Sequence, residues 1–215
     1  MFIEKPKAGG DFDPVPAGTH LAVCWRVVDL GTQLTTFNGQ TKDAHKVLVS
    51  WELPDETIEI DGQPRPMIQS KRYTWSMHEK ATLRLHLEAW RGRKFTDDDF
   101  DGPNRFNVRK LLGLGCMLSI VHEERDGKTY ANISSVSKLL KGTTTPPPVN
   151  PITYFSMQFP ADYDPTTFAA FPDWLKDLIS KSPEHQEIQR LRSGSDPFEP
   201  NRDWREEMAD DEVPF

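Results

Sequence analysis

Between residues 18 and 53, large apolar side chains return at every second position, a period that belongs to strands and not to helices. In Gly18 to Leu30, Leu21, Val23, Trp25 and Val27 alternate with His20, Ala22, Cys24 and Arg26, as they do on a strand with one buried face. Lys46 to Leu53 repeats the pattern with Val47, Val49, Trp51 and Leu53, and Pro54 ends it. Thr32 to Asp43, centred on Asn38-Gly39, reads as a hairpin or loop, since both central residues accept left-handed backbone. Asp55 to Pro66, holding Asp61-Gly62 and two further prolines, reads as a second connection, and Met67 to Trp75 as a third strand.

The period then changes. Ser76 and Glu79 have the capping-box spacing that starts a helix. Leu83, Leu87 and Trp90 follow on one face, and Gly92 supplies a left-handed stop. Phe106 to Leu112 is expected as a short helix. Met117 to Glu123 and Thr129 to Leu139 are expected as two strands joined at Asp126-Gly127. Three strands, a helix and two strands is the order of the OB-fold. The expected fold is therefore mainly β: an N-terminal arm (1–17), then a five-stranded OB barrel (18–141) with its helix between strands 3 and 4. Pro146-Pro147-Pro148 marks the domain edge. Residues 142–192 are expected as a Pro-rich linker with one short helix, Phe171 to Ile179. There Trp174, Leu178 and Phe168 either pack back on the barrel or meet a partner. Residues 193–215, rich in acids and prolines and poor in aliphatics, are expected to be disordered.

The net charge of −7 is unevenly spread. Residues 1–141 carry 20 Lys+Arg against 19 Asp+Glu, whereas residues 142–215 carry 6 against 14. A near-neutral domain can still present a basic groove if its charges are sorted by face. Neither a basic-apolar leader nor an apolar run of membrane-spanning length is present. The two cysteines, Cys24 and Cys116, each lie inside an apolar run, which suits buried reduced thiols and a cytoplasmic setting, the host cytoplasm if the chain is phage-encoded.

The chain closes on Glu206, Glu207, Met208, Ala209, Asp210, Asp211, Glu212, Val213, Pro214 and Phe215. A terminal aromatic can enter an apolar pocket while its α-carboxylate and the preceding acids face a basic rim. This end resembles the C-terminal tip of bacterial and phage single-stranded DNA-binding proteins, a run of aspartates followed by Ile-Pro-Phe. Here Glu212 stands for Asp and Val213 for Ile. The stretch from Arg72-Tyr73-Thr74-Trp75-Ser76 to Trp90-Arg91-Gly92-Arg93-Lys94-Phe95 is similar to proteins of phage replication modules. The resemblance implies an OB-fold, docking of replication or recombination proteins on Asp210, Asp211, Glu212, Val213, Pro214 and Phe215, and leaves a homo-oligomer open.

Sequence-tolerant binding of a single strand needs aromatic faces for bases and cations for phosphates. Lys71, Tyr73 and Trp75 share one face of the third strand and are the expected stacking platform, with Phe37 on the Asn38-Gly39 loop as a further ring. Lys46, Arg72, Arg91, Arg93 and Lys94 are the expected phosphate contacts. Trp25 and Trp51, on apolar faces, are expected in the core. Catalytic and cofactor motifs fail on inspection. Asp97, Asp99 and Asp101 open like a calcium loop, but the twelfth position is Val108. The second histidine after His78-Glu79 or His122-Glu123 would fall at Thr82 or Asp126, and no phosphate loop is present. No catalytic residue, metal site or cofactor is expected. The expected function is coverage of single-stranded DNA with recruitment through the tip. The alternatives are a replication-module adaptor whose barrel does not bind nucleic acid, and a nuclease whose carboxylates converge in space.

Overall fold

The computed structural model describes residues 13–37, 40–101 and 105–193, and only the backbone at 36, 37 and 40. Six strands form one mainly antiparallel sheet: β1 (Gly18–Phe37), β2 (Gln40–Ile60), β3 (Gln63–Thr74), β4 (Gly115–Arg125), β5 (Lys128–Ser137) and β6 (Thr153–Phe155). The order is β3-β2-β1-β4-β5, with β6 alongside β1 in parallel. Helix α1 (Thr82–Arg91) lies between β3 and β4 in the chain, and α2 (Pro165–Ala169), α3 (Asp173–Ser180) and α4 (Pro183–Arg192) follow β6. No helix among the described residues is long and apolar enough to cross a membrane.

The sheet is open, with β3 and β5 as its edges, where a five-stranded, partly open OB barrel was expected. Two side chains nevertheless cross between those edges: Gln69 Nε2 donates to Ala131 O and Lys71 Nζ to Ile133 O, each at 2.7 Å. The first two hairpins run longer than expected. Strand pairing continues to Phe37–Gln40 and to Ile60–Gln63. Asp61 and Gly62 both take positive φ (52° and 72°), as do Asp126 and Gly127 (51° and 70°). That is the primed two-residue turn whose twist matches the flanking strands.

The interior face of β1 differs from the simple alternation. Ala22, Cys24 and Val27 enter the main core, together with Val47, Val49, Trp51, Tyr73, Leu118 and Ile133. Register slips between Cys24 and Arg26, so Trp25 is an extra residue that reverses the facing from Arg26 to Asp29, and a second slip follows between Asp29 and Gly31. Trp25 and Trp51 are buried, as expected. Leu83, Leu87 and Trp90 of α1 pack on this core, Trp90 Nε1 donating to Gly115 O at 2.8 Å, and Gly92 closes the helix with φ 71°. The helix starts later than the Ser76–Glu79 box implies, with Ala81 at its N-cap. Ser76 Oγ instead accepts the His78 amide in a local turn (3.3 Å), and Arg84 holds the intervening segment by donating to Met77 O at 2.9 Å.

The segment expected as a linker is built into the sheet. Glu52, only 1% exposed in β2, accepts hydrogen bonds from Val149 N (2.7 Å), Asn150 N (2.6 Å) and Asn150 Nδ2 (2.5 Å). This turns the chain after the prolines so that β6 lies against Arg26–Val28. Helices α2 to α4 then cover the outer face of the β1–β2 hairpin. A second core results, in which Val28, Leu30 and Leu48 meet Phe155, Tyr163, Phe171, Leu175 and Ile179. Gly31, at φ 66°, passes so close to the start of α4 that a Cβ would lie 2.5 Å from Ser182 Cβ. Beside it Thr32 donates its amide and hydroxyl to Glu184 (2.8 and 2.6 Å).

Loss of the Glu52 carboxylate strands three donors in a dry site, and each unsatisfied buried donor costs about 1–3 kcal/mol. Glu52→Ala is therefore expected to destabilise the chain by about 3 kcal/mol or more and to expose residues 141–152 to proteases. Limited proteolysis with urea unfolding measures both.

Docking of α4 also depends on pH. His45 Nε2 lies 2.7 Å from Asp29 Oδ1, and His45 Nδ1 lies 3.4 Å from Glu184 Oε1. The Asp29 hydrogen bond, partly opposed by burial, raises His45 above its ordinary 6.5. Burial pushes Asp29 up, but His45 and the Gly31 and Met157 amides outweigh it, leaving the carboxyl below 3.8. Glu184 is likewise pushed up by burial and brought net below 4.5 by Thr32. A raised histidine contributes fully below 6.5 and ceases to contribute as pH rises through its folded value. The lowered carboxylates contribute above their ordinary values and lose that contribution as pH falls through their folded ones. Between pH 6 and 8 the His45 loss is the change that operates. The protection factors of the α4 amides, hydrogen-exchange rates divided into the intrinsic rate at each pH, are expected to fall across that interval, and His45→Gln to remove that fall.

Candidate nucleic-acid interface

At the shared end of β2 and β3, where the chain leaves for α1, lies a polar cleft of about 530 Å³. Lys46, Lys71, Arg72 and Lys80 line it with the hydroxyl-bearing Thr74, Ser76 and Thr82. Strand pairing produces the convergence: Lys46 sits opposite Thr74 and Leu48 opposite Arg72, so Lys46 and Arg72 project from the same face. Lys46 Nζ donates to Thr74 Oγ1 at 2.8 Å. Among the described residues no carboxylate pairs with Lys46, Arg72 or Lys80. Lys71 is turned inward to Ile133 O, and burial lowers its pKa.

Two exposed indoles flank these cations. Trp75, 45% exposed, follows the last residue of β3 and is anchored through its amide to His45 O at 2.7 Å. Trp174 of α3 is 48% exposed, and the Arg72 guanidinium lies 5.7 Å from its ring centre, within cation–π range. The surface therefore runs from Trp174 through Arg72 and Lys46 to Trp75.

Tyr73 is not part of that surface. It is 3% exposed, its hydroxyl 2.9 Å from His86 Nδ1, and burial pushes its pKa well up. The face shared by Lys71 and Tyr73 is the interior one, so the expected platform reduces to Trp75, which lies beyond the strand. Arg91 and Arg93 are engaged elsewhere. Both bond Asp99 Oδ1 (2.7 and 3.0 Å), and Arg91 lies 4.3 Å over the Phe95 ring. Arg91 is the main cause of the Asp99 carboxyl falling well below its ordinary range. These two arginines fasten the 95–101 loop to α1. Lys94 is exposed beside them, at the far end of a helix of about 15 Å from the cleft. Phe37 keeps its backbone place in the hairpin, its side chain lying outside the described residues, as does the whole tip from Asp210 to Phe215.

Sequence reasoning missed Lys80 and Trp174 as companions of the cleft. Lys80 was hidden by placing it inside a helix that begins only at Thr82. Trp174 comes to Arg72 from a hundred residues away, and only the packing of α3 brings it there.

A second, deeper cavity of about 500 Å³ opens on the other side of Trp75. Val27, Val47, Phe100, Phe106 and Tyr154 give it apolar and aromatic walls, and Asp29, Asp99 and Glu184 border it. No lysine lines it. Residues 154–158 form one wall, so the cavity exists because the C-terminal segment is docked. Among the described residues no group of three or more His, Cys, Asp or Glu side chains is placed to hold a metal ion. Against known proteins, no family model matches the chain and no curated protein is significantly similar to it.

Proposed function

We propose that this chain binds single-stranded DNA along the Trp174–Arg72–Lys46–Trp75 surface and recruits replication or recombination proteins through its C-terminal tip. The observation that carries the reading is one cleft lined by Lys46, Arg72 and Lys80, which have no carboxylate partner among the described residues, with a half-exposed indole against Arg72 (Trp174) and another next in the chain to Thr74 (Trp75). Stacking on an indole accepts any base, and Lys46, Arg72 and Lys80 can follow the phosphates. The strand order β3-β2-β1-β4-β5, a helix between β3 and β4 that packs on the core, and the Gln69 and Lys71 links across the open edge all support a divergent OB-fold. The acidic Val213-Pro214-Phe215 end supports the recruiting role, since it offers an apolar anchor, a carboxylate and preceding acids to a basic-rimmed pocket.

Titration with oligo-dT tests the binding. Quenching of tryptophan fluorescence that weakens with salt is expected, and Trp75→Ala should lose about 1–3 kcal/mol of affinity. Lys46→Gln should lower the salt slope by about 0.7. Unchanged fluorescence together with unchanged anisotropy of a labelled strand would leave the adaptor as the better reading.

Deletion of residues 210–215 tests the tip. It should abolish pull-down of replication proteins while leaving oligo-dT affinity equal or slightly tighter, because it removes like charge and no contact to the strand. Loss of strand binding on that deletion would contradict the division of labour.

A further inference from the structure

We infer that the cavity beside Trp75 receives one unstacked base of the bound strand, which rests on the preceding reading that the chain binds single-stranded DNA. The argument begins with chain order. Thr74 and Ser76 line the cationic cleft, whereas Trp75 between them lines the cavity. A nucleotide branches in the same way, its phosphate and base leaving one sugar in different directions. A phosphate held near Lys46 and Thr74 thus has a base-sized space next to it, across a single indole.

Charge sorts the two halves. In the cleft three cations lack a carboxylate partner among the described residues. The cavity is bordered by Asp29, Asp99 and Glu184, and each of these is already saturated: Asp29 by His45, Gly31 and Met157, Asp99 by Arg91, Arg93 and Thr96, Glu184 by Thr32. Carboxylates so engaged ask for no metal and leave room for a neutral ring, and Arg105 brings a guanidinium to the same lining. The interior chemistry suits one. Phe100, Phe106 and Tyr154 offer faces and edges, and a volume of about 500 Å³ falls within the roughly 300–1,000 Å³ of small-molecule sites. Polar atoms for the base edge come from Arg105, Asn107, Ser156 and Gln158. Ser156, 5% exposed, accepts the Gln158 amide at 3.2 Å and retains its own hydroxyl proton to donate, and the Gln158 side chain stands at the mouth.

The test uses the full chain and oligo-dT carrying one central 2-aminopurine and an end label. Label anisotropy reports binding, and acrylamide quenching of 2-aminopurine reports whether the base is enclosed. Gln158→Trp narrows the mouth at an exposed position, and Asn107→Trp narrows it from the other segment of the lining at the cost of the Asn107 Oδ1 that accepts the Arg109 amide, so circular dichroism checks that both variants are folded. The expected result is a bound 2-aminopurine shielded from acrylamide in the parent chain, and loss of shielding with about tenfold weaker binding in both variants. Binding without shielding in the parent, or shielding unchanged in both variants, overturns the cavity as a base site and leaves the strand-binding reading in place. No anisotropy change with any single strand overturns that reading, and this inference with it.

Discussion

A carboxylate buried in β2 sets the form of the whole molecule. Glu52 is almost fully enclosed and faces no cation among the described residues. A charge in that setting persists only if hydrogen bonds replace the water it has lost. The three N–H groups of Val149 and Asn150 do this, and they belong to the stretch that follows the triple proline. The sheet and its C-terminal segment thus cannot be separated without leaving the Glu52 carboxyl in the sheet without these donors. Asp29 repeats the device one strand away by accepting the Met157 amide. Between those two sockets β6 is held to β1, and everything after it is aimed across the sheet.

What this arrangement covers decides where a ligand can lie. The outer faces of Val28, Leu30 and Leu48 are closed by α2 to α4, so the middle of the β1–β2 hairpin is unavailable. The β3 side stays open, and the covering helices add to it, since α3 carries Trp174 to Arg72. The same docking supplies the wall from Tyr154 to Gln158 that encloses the cavity beside Trp75. Stability and site therefore share one cause: the segment that satisfies Glu52 also completes the surface.

Strand identity and order were legible because alternation and turn chemistry are local. Asn38-Gly39, Asp61-Gly62 and Asp126-Gly127 each mark a hairpin, and Gly92 ends α1 where a left-handed residue was needed. Facing was less legible. One extra residue at Trp25 inverts the pattern, and it inverts unnoticed because both sides of β1 are buried, so neither side carries a polar signature. Tyr73 was misplaced for a related reason: beside Lys71 it looks amphipathic, yet Lys71 itself turns inward to close the gap to β5. The Pro-rich stretch looked like a linker because the residues that tie it down, Glu52 and Asp29, lie 98 and 128 positions earlier. No local pattern records such partners. Arg91 and Arg93 show the converse, a basic cluster whose counter-charge, Asp99, lay in plain view within eight residues.

The ion pairs also bound how such a chain can hold DNA. A domain with nearly as many acids as bases has few cations to offer once its internal pairs are made. Around the cleft only Lys46, Arg72 and Lys80 remain without a carboxylate among the described residues. At about 0.7 released counterions per phosphate on a single strand, three contacts give a salt slope near −2, shallow for a nucleic-acid binder. The remaining affinity has to come from rings, at roughly 1–3 kcal/mol for each stacked base. On the proposed reading, the two indoles beside the cleft would be its larger energetic asset, and the cations would serve mainly to set the path of the backbone. An acidic tail tethered to such a surface faces only three competing charges, so it can stay available to a partner while the strand is bound.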